Sequence, residues 1–155
     1  ANGWPVGATI TTDDIAEAWK PLTISTFGGN PVCMAALCAT QDVMRDEAVP
    51  AMAKERGDQL RVGLCDIQSR HPWIGDVRGM GLMQAIEVVK DPGGKEPDRD
   101  KVSRLLEAAR EQGLLLGRGG LWSNVVRIGP SLLITEGEVA EGLEKLGAAC
   151  DQVAP

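Results

Sequence analysis

The order of apolar patterns predicts an α/β domain built on a small, mostly antiparallel sheet flanked by helices. Three observations carry this expectation. Helical stripes open after Pro31, Pro50, Asp98 and Thr135. Short β-rich runs at 73–78, 82–89 and 125–128 lie between the later ones. Gly79-Met80-Gly81, which separates the first two runs, has the composition of a turn, so they read as adjacent strands.

Taken in order, Val6 to Thr11 is an apolar run bounded by Gly3, Pro5 and Asp13-Asp14, and is expected to be a strand. Thr12 or Asp13 then caps a short helix through Ala18, which Pro21 interrupts. In Ser25-Thr26-Phe27-Gly28-Gly29-Asn30-Pro31, Asn30 suits an N-cap and Pro31 the first helical position. A helix mouth offers free N–H groups and partial positive charge to a phosphate, although on spacing alone a plain capped turn is the better account. The helix after Pro31 carries Val32, Ala35, Ala36, Ala39 and Val43 on one face.

Glu47 to Val49 reads as a junction, and Pro50 opens a helix to about Ser69, weakened by Gly57 and Gly63. His71 beside Pro72 is expected at the surface. Asp76 and Arg78 share a strand face and read as a local ion pair. Asp91 to Pro97 is a polar loop, and Asp98 or Asp100 starts a helix ending at Gly113. Leu114 to Leu116 is expected to be a short buried strand, and Gly117 to Gly120 a flexible turn. Val125 to Ile128 is a strand, and Thr135-Glu136-Gly137-Glu138 a capping box before a helix with Val139, Leu143 and Leu146 inward.

The 155 residues suffice for one domain with its own core, and no apolar run is long enough to cross a membrane. A net charge of -6 argues against nucleic acid or anionic lipid as partners. With no tyrosine and one phenylalanine, a base-stacking surface is not expected either. The four cysteines form no C-x-x-C pair and His71 is the only histidine, a poor zinc set; three of the cysteines fall in helical patterns and read as small core residues. This usage favours a reducing, cytoplasmic setting, with mitochondrial targeting left open because the chain begins Ala1-Asn2-Gly3-Trp4.

Arg127 is the most informative charged residue. Strand alternation puts it on the Val125 face of an apolar run, where a guanidinium is costly to desolvate unless an anion meets it. A carboxylate would do so with two parallel hydrogen bonds; water at a sheet edge or an internal acid would also serve. Arg118 is a weaker candidate, reading as a solvated loop arginine. Trp4 and Trp122 could be pocket walls or core pieces, and no Ser/His/Asp set exists.

Five segments in order carry a resemblance: ANGWPVGA, TFGGNP with the following VCMAALCATQDVMRDE, IGDVRGMGLM, GLLLGRGG and VVRIGPSLLIT. They resemble the class III aminotransferases, pyridoxal 5'-phosphate (PLP) enzymes of fold type I, most like the alanine–glyoxylate aminotransferase 2-like branch. The resemblance implies that residues 1–47 are the tail of the large PLP-binding domain and its linking helix, and 48–155 the C-terminal small domain. It implies that Thr26 donates to the cofactor phosphate of the partner subunit in a homodimer, and that Arg127 binds the substrate carboxylate. The substrates would be an amino donor, either an amino acid or an amine, and a 2-oxo acid acceptor. The lysine that forms a Schiff base with PLP precedes the ANGWPVGA segment in the family, and neither Lys20 nor Lys54 matches it. The chain is therefore expected to be a C-terminal fragment, inactive alone, with no catalytic residue of its own. A same-fold decarboxylase or aminomutase, and a non-catalytic dimerising or anion-binding domain, are the alternatives.

Overall fold

The computed structural model describes residues 2–153. Ala1, which opens the ANGWPVGA segment, lies outside the described residues. The chain divides into two compact units, Ala1–Val49 and Pro50–Pro155.

The first unit holds α1 (Asp13–Ala18) and the whole of α2 (Pro31–Asp46) in otherwise irregular chain. The expected strand at Val6 to Thr11 does not form. A strand needs a partner to take its backbone N–H and C=O groups, and this stretch has none among the described residues. Only Cys33 is buried among residues 2–48, and the stripe of α2 is largely solvent-facing, with Val32 and Val43 both exposed.

The second unit has a core of its own. Its elements are α3 (Val49–Arg70, reaching back one residue), β1 (Ile74–Met80), β2 (Met83–Val88), α4 (Arg99–Glu111), β3 (Gly117–Gly119), β4 (Val125–Ile128) and α5 (Glu136–Val153). The sheet order is β1-β2-β4-β3, and every pairing is antiparallel, as expected for the sheet. One face packs on the three helices: Val77, Ile86, Val88 and Val126 meet Leu64 and Ile67 of α3, Leu105 of α4 and Leu146 of α5 in one cluster. The opposite face carries Asp76, Arg78, Ala85, Glu87 and Arg127, which the ladder aligns in register.

Local signals account for several boundaries. Asp98 caps α4 by accepting from the Lys101 N–H at 2.8 Å. The Thr135–Glu138 box forms in both directions: Glu138 N–H donates to Thr135 Oγ1 at 3.2 Å, and Thr135 N–H to Glu138 Oε2 at 2.8 Å. The glycines that weaken α3 on propensity serve close approach instead. A Cβ on Gly57 would fall 2.2 Å from the Gly81 carbonyl carbon, and one on Gly63 2.3 Å from Leu143 Cδ1.

Four expectations are corrected. Leu114 to Leu116 is not a strand, and Leu115 is 84% exposed. The neighbouring Gly117–Gly119 is the strand instead, at the sheet edge, because it reaches the free side of β4. His71 is buried, packed against Trp73 with ring centroids 5.5 Å apart; its Nε2 lies 3.2 Å from an Asp151 oxygen but out of line for a hydrogen bond. Of the cysteines, all four lie in helices, but only Cys33 and Cys150 are buried, while Cys38 and Cys65 are exposed.

Candidate anion-binding site

β4 is short and alternates cleanly at its end: Val126 faces the core with no exposed area, and Arg127 faces out on the other side. Arg127 sits between two neighbours that leave it room. Ala85 is its partner on β2, and Gly117 its partner on β3. Among the described residues its guanidinium has no hydrogen bond and no ion pair. Arg78, on the same sheet face, has internal counter-ions: its Nη1 lies 2.7 Å from Asp76 and 2.6 Å from Glu87. Those hydrogen bonds, Asp76 first and Glu87 second, hold its pKa above the usual arginine value. The ion pair expected between Asp76 and Arg78 is present, with Glu87 added from β2.

Arg127 lines a cleft of about 390 Å³ where the ends of β2, β3 and β4 meet. Gln84, Leu114, Leu116, Arg118 and Pro130 form much of the rest. Among the described residues no aspartate or glutamate lines it, in a chain of net charge -6. The cleft therefore favours a ligand with an apolar body and an anionic end. Gln84 was not anticipated from the sequence. It is buried on the core face of β2, its Nε2 donates to Gly81 O at 2.6 Å, and its Oε1 has no partner among the described residues. The alternation of β2 signals its inward position, but not the vacancy at Oε1.

The weaker candidates resolve differently. Arg118 stands on β3, not in a loop, and donates through Nη2 to Ser103 Oγ of α4 at 2.6 Å. Trp4 and Trp122 are both exposed. Lys54 donates to Asp58 at 2.6 Å and Lys90 to Glu96 at 2.6 Å, and these hydrogen bonds raise both ammonium pKa values. Both shifts are opposite to the lowering that activates a nucleophilic lysine.

Thr26 opens a turn that runs to Gly29, closed by Gly28 N–H donating to Ser25 O at 3.3 Å. Asn30 caps α2 as expected, its Oδ1 accepting from Val32 N–H at 3.0 Å and Cys33 N–H at 3.2 Å. The Met34 N–H goes to Asn30 O, and Pro31 has none to give. The first turn thus has no N–H left for an anion, as the plain capped turn favoured on spacing implies. The donors that remain are in the turn itself. Thr26 Oγ1 is exposed, and neither it nor the Phe27 and Gly29 amides donate a hydrogen bond among the described residues. Thr26 belongs to the first unit and Arg127 to the second.

The profile of the family described as Aminotransferase class-III matches residues 1–150. Ethanolamine-phosphate phospho-lyase homolog 1 of Caenorhabditis elegans is 36% identical over 155 residues, covering 98% of this chain and 32% of that protein. Human alanine–glyoxylate aminotransferase 2, mitochondrial, is 36% identical over 154 residues, covering 97% of this chain and 30% of that protein. The crystal structure of a Bacillus anthracis aminotransferase superposes with a TM-score of 0.81 at 32% identity, covering 90% of this chain and 34% of that one. The chain thus spans about a third of the length of the relatives it matches. A profile that matches from the first residue to Cys150, with relatives 36% identical over nearly the whole chain, leads to one conclusion: this chain belongs to the class-III aminotransferase family.

Proposed function

We propose that this chain contributes anion-binding groups to a PLP-dependent aminotransferase, which moves an amino group from an amino acid or amine to a 2-oxo acid. Arg127 binds the carboxylate of the substrate. The observation that carries this reading is an arginine carried by a short strand, at an acid-free cleft, with no internal counter-ion among the described residues. A carboxylate satisfies such a group with two parallel charged hydrogen bonds, worth about 1.5–3 kcal/mol apiece.

The turn at Thr26 suits the phosphate of PLP, because its hydroxyl and the Phe27 and Gly29 amides are donors not used internally among the described residues. In this reading Thr26 holds the phosphate at the partner subunit's site in a homodimer. Residues 1–47 belong to the cofactor-binding domain, and 48–155 form the small domain. When bound, PLP supplies an electron sink that stabilises charge at the substrate carbon losing a proton. This chain's residues orient the substrate: Arg127 takes its carboxylate, and the leucines at 114 and 116 shield its apolar part from water. In this reading the lysine that does the covalent work lies outside these residues in the whole protein, since neither Lys20 nor Lys54 stands where the family carries it.

The test is product analysis on the full-length protein loaded with PLP and supplied with an amino donor and a 2-oxo acid. Appearance of the amino acid derived from the acceptor is the expected outcome. A second reading is favoured by the relative named as a phospho-lyase: a phosphate on the substrate would then meet Arg127. Release of inorganic phosphate from phosphoethanolamine, with no transfer to the 2-oxo acid, would replace the first reading with the second.

A further inference from the structure

Gly119, paired with Val125 on the edge strand, lies diagonally across from Arg127, whose stem passes over it. A Cβ built on Gly119 would lie 2.8 Å from Arg127 Cδ, closer than such atoms approach in real proteins, and 3.0 Å from Cγ, so the arginine stem would have to move. The arginine stem therefore lies flat across the Gly119 backbone. Backbone conformation does not ask for glycine here. The φ of Gly119 is not positive, whereas that of the next residue, Gly120, is +81°. Glycine is also a poor choice for a strand on entropy grounds. What the missing side chain provides is the space that Arg127 fills. Nothing polar fixes the guanidinium, which has no hydrogen bond or ion pair among the described residues. Its direction is set by this contact and by Ala85 and Gly117, the small residues paired with it on either side.

We infer that Gly119 is a positioning residue for Arg127: by offering a flat floor to the arginine stem, it sets the reach of the guanidinium toward the ligand's anionic group. The inference rests on the reading of Arg127 as the carboxylate binder. Any side chain at 119 displaces Cγ and Cδ and swings the guanidinium off its line. Displacement of a binding group by about 1 Å can cost on the order of a hundredfold.

The experiment compares Gly119→Ala, Arg127→Ala and the double variant in the full-length protein with PLP. Two ligands are used: the amino-acid donor the wild type accepts, and the amine that differs only by lacking the carboxylate. Each is read as KM or, where there is no turnover, as an inhibition constant. Gly119→Ala is expected to weaken the carboxylate-bearing ligand at least about tenfold and leave the amine unchanged. The double variant is expected to match Arg127→Ala alone, because a displaced arginine and an absent one lose the same contact. A shift equal for both ligands, or an unchanged amino-acid KM while Arg127→Ala raises it, overturns the positioning role and leaves the Arg127 reading standing. No effect of Arg127→Ala overturns that reading itself, and the positioning role with it. Should Gly119→Ala fail to fold, adding Arg127→Ala is expected to restore folding with the Tm of Arg127→Ala alone, and failure to do so overturns the contact.

Discussion

The two faces of the sheet are satisfied in different ways. The helix-covered face is filled by apolar side chains, with Ile86, Val88 and Val126 showing no exposed area. The other face is charged, and there the satisfaction is uneven. Arg78 has two carboxylates within 2.7 Å, and Arg127 has none. Both arginines are exposed on one surface, on β1 and β4 with β2 between them, so solvent access alone does not separate them. The difference is in the counter-ion. A guanidinium with internal partners is complete without a ligand; one in an acid-free cleft is completed by a ligand.

The largest expected effect is on the covered face. Ile86→Ala should destabilise the protein by about 2–5 kcal/mol, read from denaturant midpoints, because the cavity opens where three helices and the sheet meet. A loss below about 1 kcal/mol would mean that this face is not the core.

A smaller effect on the same side concerns pH. Burial pushes the Cys150 thiol up to about 12. The unfolded chain releases that proton near the ordinary thiol value of about 8.5. The folded pKa is the raised one, so this stabilisation is complete below the unfolded value and declines as pH rises to about 12. Denaturant midpoints from pH 8 upward should therefore fall less steeply in Cys150→Ala than in the wild type. Parallel slopes would contradict a buried neutral thiol.

On the charged face, Arg78→Ala should cost under about 1 kcal/mol, since its ion pairs are half exposed to solvent. A larger loss would make the Asp76–Arg78–Glu87 group a structural anchor and blur the contrast with Arg127. The smallest effect is at the α5 cap. Hydrogen bonds from the Thr135 backbone N–H and hydroxyl lower the Glu138 pKa. Its stabilisation is present above the unfolded glutamate value and lost as pH falls through the lowered one. Glu138→Gln should flatten the acid limb of the Tm curve there, and an unchanged limb would remove the box as its source.

Much of this architecture can be read from the sequence where a pattern is local. The period-two alternation of β2 and β4 puts Arg127 and Val126 on opposite faces, and Thr135 to Glu138 announces α5. The misreadings are where distant partners decide. Val6 to Thr11 has strand composition but no neighbouring strand among the described residues. Gly117–Gly119 has the composition of a turn, yet pairs with β4 because that side of the sheet is free. His71 looks solvent-facing beside Pro72, but Trp73 and α5 close over it. At the candidate site the arginine is visible in the sequence. The clearance above Gly119 and the unpartnered Gln84 Oε1 are not, because each depends on residues brought together by pairing.

The most direct test is a paired one on the full-length protein with PLP: KM for the carboxylate substrate in Arg127→Ala and in Arg78→Ala, with cofactor absorbance recorded in both. The expected result is a rise of at least about tenfold for Arg127→Ala, matching the loss of a charged hydrogen bond, no change for Arg78→Ala, and cofactor retained in both. Equal KM values in the two variants would contradict the assignment of the ligand's anion to the arginine that lacks a counter-ion.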